Sequence, residues 1–109
     1  ALMLAAASDL DVGKVVDAIS GGAAGSWQLT NLGPRIVKGD FAPGFMVRLQ
    51  QKDLKLVLEA ANDVKLALPG VSLAHQYFNI VERLGCADEG TQALIKAYEA
   101  QAGKEARSS

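Results

Sequence analysis

Residues 45–65 read FMVRLQQKDLKLVLEAANDVK, and the order of polar and apolar side chains in this run decides the fold class. Placed at about 100° per residue, Arg48, Lys52, Lys55, Glu59, Asn62 and Asp63 share one polar arc. Met46, Leu49, Leu56, Val57, Ala60, Ala61 and Val64 cover a broad apolar arc. This periodicity predicts one long helix from residue 45 or 47 to residue 65. Asp53 falls near the middle of the apolar arc. A buried carboxylate loses several kcal/mol of hydration, so it is usually held by partners or supports a site. A helix starting only near Lys52 would instead make Asp53 a first-turn acid, favoured by the macrodipole. Spacing does not decide between the two, and by spacing Lys52 itself reads as solvated.

Upstream, residues 1–7 are apolar and lack the charged start of a signal peptide and the length of a membrane span. They read as the last two turns of a helix that begins outside this chain, with an apolar face that frays or meets another copy. Asp9 or Asp11 can cap a helix carrying Val12, Val15, Val16 and Ile19, which Ser20, Gly21 and Gly22 end in a left-handed turn. Ser26 caps a short helix from residue 27 to 32, interrupted by Gly33 and Pro34. Trp27 reads as a packing anchor. Residues 39–44 form a loop. Downstream, Pro69 and Gly70 open a helix that Gly85 stops, and residues 88–91 cap a last helix over 92–101. Residues 104–109 form a polar, frayed tail. Strand signals are weak, and the architecture expected is all-α, a compact bundle of five or six helices.

Composition narrows the function classes. The chain has 109 residues, 50% of them hydrophobic, which suits one domain with one modest core. Eleven basic and 12 acidic residues leave a formal net charge of -1, which argues against nucleic acid and against a polybasic membrane anchor. The one cysteine, Cys86, excludes an intrachain disulfide and a thiolate cluster, and a cytoplasmic setting is the default. With one histidine, no metal site or proton relay is expected, and His75 reads as a solvated residue beside Asn79 and Glu82. Cys86 reads as an ordinary thiol. The Gly21–Gly25 loop has neither a Walker Gly-Lys-Ser ending nor the dinucleotide spacing after a strand, so it reads as a helix stop before a serine cap, the alternative being a substrate-facing turn with free backbone donors and with Ser26 and Trp27 at its edge.

Several stretches together go beyond general chemistry: AISGGAAGSW at 18–27, GDFAPGF at 39–45, LQQKDL at 49–54, LEAA at 58–61, LP at 68–69 and ALIK at 93–96. From residue 1 to about 103 the chain resembles the 3-hydroxyisobutyrate dehydrogenase family, which includes tartronate semialdehyde, glyoxylate and succinic semialdehyde reductases. Phe45, Leu49, Lys52 and Asp53 carry the most specific part of the resemblance. It implies a 6-phosphogluconate dehydrogenase-like C-terminal helical domain over 1–103, without its first long helix. It further implies a preceding Rossmann domain that holds most of NAD or NADP, and a catalytic lysine upstream of residue 1. The substrate implied is a short β-hydroxyacid, and the assembly a homo-oligomer. Lys52 is then a cofactor-binding residue near the nicotinamide end, and Phe45 and Asp53 support the active site. The isolated chain is expected to be inactive. A non-enzymatic helical interaction module with this fold is the alternative, and an upstream G-x-G-x-x-G segment with a G-x-x-x-K stretch would decide for the enzyme. The chain departs from the family pattern at Ser8 and Asp9, at Lys65 where a helix-ending glycine is common, and at Gly90 and Gln92, often Asp and Ser.

Overall fold

The computed structural model describes residues 1–107. Its order is α1 Leu2–Ala7, α2 Val12–Ser20, α3 Trp27–Val37, α4 Val47–Asp63, α5 Pro69–Arg83, a 3-10 turn Thr91–Leu94 and α6 Ile95–Ala102. The described residues hold no strand, and Met46 and Gly90 form an isolated antiparallel bridge. The all-α expectation holds for the described residues, which form six α-helices.

The helix ends follow local chemistry. Asp11 accepts from the Lys14 amide at 3.0 Å to cap α2, and Ser26 accepts from the Leu29 amide at 3.0 Å to cap α3. Four helices stop with the paired bonds of a Schellman turn, centred on Asp9, Gly39, Lys65 and Gly85, all at positive φ. At two of these ends the left-handed residue is not glycine: Asp9 has φ 58° and Lys65 φ 57°. These are two of the positions where the chain departs from the family pattern. Gly21, by contrast, ends α2 at φ -86°, so the left-handed stop expected there is absent.

Helix α3 corrects a second expectation, for it continues through Pro34 to Val37. The residue before a proline is pushed out of the helical region by contact with its Cβ, and Gly33 has none. Gly33 also permits close packing, since an added Cβ would lie 3.2 Å from Val16 Cγ1 on α2. Trp27 is 70% exposed at the start of α3 and anchors no packing.

Two buried clusters make the core. Leu2, Ala5 and Ala6 of α1 pack with Val12 and Val16 of α2 and with Ala106. Phe41, Val47, Phe78, Val81, Ala93 and Ala97 form the second cluster, where α4, α5 and α6 meet. Helix α1 thus finds a place within its own chain, although Leu4 stays exposed. The tail is not frayed over 104–107. Ala106 is fully buried, its amide donates to Glu99 Oε2 at 2.8 Å, and Lys104 pairs with Asp9 at 2.7 Å. Lys104 also holds the Asp9 carboxyl below its ordinary pKa, through its hydrogen bond and then its charge. Arg107 lies over the Phe41 ring at 4.9 Å. Ser108 and Ser109 of the expected tail lie outside the described residues.

Candidate functional site

The site is built on the entry to α4. Two distant segments hold that entry: the Gly90 amide donates to Phe41 O at 2.9 Å, and the Thr91 amide to Phe45 O at 3.0 Å. In the reverse direction the Val47 and Arg48 amides donate to Glu89 O and Ala87 O, each at 2.9 Å. Arg35 closes the loop from α3, donating to Asp40 Oδ2 at 3.0 Å and to Ala42 O at 2.6 Å. Asp40 accepts in turn from the Ala42 amide at 3.0 Å. The Arg35 hydrogen bond first, and the Ala42 amide second, hold the Asp40 carboxyl below its ordinary range. Phe41 is capped by two cations, with the Lys96 ammonium 4.4 Å from its ring centre and Arg107 on the same ring.

Helix α4 buries only part of the apolar arc of the sequence reading: Ala61 is buried and Met46 and Leu49 are half-buried, while the rest of the buried stripe lies off that arc. Val47, Gln51 and Ala61 are buried and Leu54 and Leu58 half-buried, a stripe at i, i+4, i+7, i+11 and i+14. Gln51 belongs in that stripe because it is satisfied. Its amide nitrogen donates to Asn79 Oδ1 at 2.8 Å and to His75 O at 3.2 Å, and its oxygen faces His75 Nδ1 at 3.0 Å. His75 is therefore a half-buried partner of α4 and not a solvated residue. The arc of Leu56, Val57, Ala60 and Val64 is exposed, as is Asp53 in its midst.

The Asp53 carboxylate accepts no hydrogen bond among the described residues, so the inward, satisfied acid expected from its arc is not what this chain contains. The first-turn alternative fails too, because α4 begins six residues earlier, at Val47. Lys52 is exposed beside it and has no ion-pair partner among the described residues. Phe45 precedes the helix and is 42% exposed. The structure thus puts all three on open surface.

A groove of about 700 Å³ runs between α3 and the α4–α5 pair, lined by Leu29, Leu32, Ile36, Leu54, Phe78 and Ile95. Phe45, Lys52 and Asp53 are not among its lining residues. Cys86 lies outside it, half-buried, 3.7 Å from the Lys96 ammonium that pairs with Glu89. Burial, and then Glu89, push the Cys86 thiol above its ordinary pKa, which keeps it protonated and unreactive at neutral pH. No helix of the described residues is long and apolar enough to cross a membrane.

Three groups that shape this region escaped the sequence reading. Gln51 carried a signal, the 47-51-54-58-61 stripe, disguised by a polar name. Gln92 showed only as a departure from the family pattern, its backbone partners lying about 50 residues away, and the Arg35–Asp40 pair carried no signal.

A family model described as NAD-binding of NADP-dependent 3-hydroxyisobutyrate dehydrogenase matches residues 1–98, and the chain belongs to that family. An uncharacterized oxidoreductase from Synechocystis sp. is 55% identical over 84 residues, covering 77% of this chain and 28% of its own length. A probable 3-hydroxyisobutyrate dehydrogenase-like protein, mitochondrial, from Arabidopsis thaliana is 46% identical over 98 residues, covering 90% of this chain and 29% of its own. The crystal structure of 3-hydroxyisobutyrate dehydrogenase from Salmonella typhimurium superposes with a TM-score of 0.83 at 30% identity, over 87% of this chain and 33% of that one. The chain therefore spans about a third of the length of these relatives.

The family's cofactor is NAD or NADP. The family description puts NAD binding on this segment, where the sequence reading gave most of it to a separate domain. The chemistry of the residues present is compatible with such a group: Lys52 has an exposed ammonium without an ion-pair partner among the described residues, and Leu56 and Val57 on the same helix are exposed apolar side chains.

Proposed function

We propose that this chain is the helical, 6-phosphogluconate dehydrogenase-like domain of an NAD(P)-dependent oxidoreductase acting on a short β-hydroxyacid or its semialdehyde. The observation that carries this reading is the exposed pair of neighbours Lys52 and Asp53 on α4, within the residues 1–98 that match the family model. Bound NAD(P) supplies the hydride acceptor or donor. Lys52 would hold the cofactor near its nicotinamide end, as a positioned cationic donor. Phe45 would line the substrate cleft, and Asp53 would orient groups there on closure. Proton transfer to or from the substrate oxygen belongs to a lysine outside this chain, so the chain alone is inactive.

The partner of the open surfaces is a Rossmann domain of the same enzyme, closing over the Lys52 side of α4. Self-association would use α5, where exposed Leu73, Ile80 and Leu84 recur at i, i+7 and i+11. The single cysteine suits a cytoplasmic enzyme.

Steady-state kinetics of the full-length enzyme test the reading. Lys52→Ala should lower kcat/KM by about tenfold or more, as for a lost charged hydrogen bond of roughly 1.5–3 kcal/mol. Asp53→Ala should lower turnover while leaving the melting temperature of this chain unchanged, because the acid is exposed and unpaired here. Wild-type kinetics for both would remove the pair from the active site.

A further inference from the structure

Gln92 is 4% exposed, and its amide nitrogen reaches across 50 residues of sequence to donate to Ala42 O at 3.0 Å and to Asp40 O at 3.2 Å. Those carbonyls belong to the loop that carries Phe41 and leads to Phe45 and α4. The side chain folds back over Gly90 to make this reach. A Cβ on Gly90 would stand 2.8 Å from Gln92 Cδ and Nε2, and nearer still to its Oε1. The Gly90 backbone, at φ -66° and ψ 159°, is an extended conformation open to any residue. Its missing side chain is therefore explained by Gln92 and not by backbone geometry.

We infer that Gln92 is a positioning residue that latches the residue 40–42 loop, and that residue 90 is glycine to leave room for the latch. The latch sets the approach of Phe45 to the cleft, and that last link rests on the role proposed for Phe45 above. Both donors of the Gln92 amide go to backbone oxygens, so a carboxylate of the same shape cannot replace it.

The test is a double-variant cycle read by amide hydrogen exchange on this chain. The reporters are the amides of residue 90, Thr91 and Ala42, whose acceptors lie in or beside the loop, with the interior of α5 as the internal reference. Gln92→Glu and Gly90→Ala should each lower reporter protection by about tenfold, the scale of one net hydrogen bond, and leave α5 unchanged. In a Gln92→Ala or Gln92→Ser background, Gly90→Ala should add nothing further. An equal effect of Gly90→Ala in both backgrounds, or full protection with Gln92→Glu, would overturn the latch. In the full-length enzyme Gln92→Glu should raise KM for the hydroxyacid by about tenfold and keep kcat within about twofold, since no reacting atom is touched. Lost protection with an unchanged KM overturns the link to the cleft while the latch stands. Loss of the Lys52 effect, in contrast, would strike the functional reading and leave the exchange results untouched.

Discussion

The two ends of α4 differ more than their sequences do. At the N-terminal end, Val47 is fully buried, Gln51 is bonded into α5, and the preceding loop is tied to residues 87–92 and to Arg35. Toward the C-terminal end burial narrows to Ala61 and half-buried Leu58, while Leu56 is 54% exposed and Val64, just past the helix, 73%. Hydropathy ranks the second region as the better core, yet the first is the core. Burial follows what is available to pack against: the braced entry loop and α5 cover the Val47–Ala61 stripe, and no described element covers the Leu56–Val64 arc. In the proposed reading that bare arc flanks the cleft.

The largest effect should come from emptying the braced end. Val47→Ala should lower unfolding free energy by about 2–3 kcal/mol, from lost transfer energy plus a cavity, whereas Leu56→Ala should stay within about 0.5 kcal/mol. Urea midpoints decide it, and equal losses at the two sites would erase the contrast between the ends.

Next comes Gln51→Ala. It strips partners from Asn79 and His75 at once and should cost about 1–3 kcal/mol by the same measurement. A Gln51 change without effect would mean that water satisfies this network as well as α5 does.

The far end of α4 offers a gain. Lys65 holds a left-handed conformation that disfavours side chains, so Lys65→Gly should raise stability by about 1 kcal/mol. No rise in the melting midpoint would show that the Lys65 side chain makes up for its backbone.

The smallest effect is in the brace itself, at Asp40. Its folded pKa lies below its unfolded value, so its contribution is present above about pH 4 and is lost as pH falls through the lowered folded value. Asp40→Asn should flatten that acid limb slightly, and an NMR titration should place the Asp40 midpoint below the usual carboxylate range. A midpoint in the ordinary range would show that Arg35 does not hold the carboxylate in solution.

How much of this was legible can be traced residue by residue. The period near 3.6, the caps at Asp11 and Ser26 and the stop at Gly85 are local, because each depends on side chains within a few positions of the backbone groups they satisfy. The roles proposed for Lys52, Asp53 and Phe45 come only from the family resemblance; spacing left Asp53 undecided, and the structure put it outside on a helix already under way. The unusual Gly90 and Gln92 each read as a change of turn or cap, and in the fold they are one device.

By itself the sequence determined the helical class, most helix boundaries and the family, because propensity, periodicity and capping act over one or two turns. The tertiary structure alone decided which face of α4 is core, why Gln51 and Glu99 can be buried, how closely Gly33 approaches Val16, and what Gln92 holds. Each of those depends on a partner that the fold brings in from another helix, a distant loop or the C-terminal segment. A buried polar group is tolerable only when that partner is in reach, and reach is set by the fold.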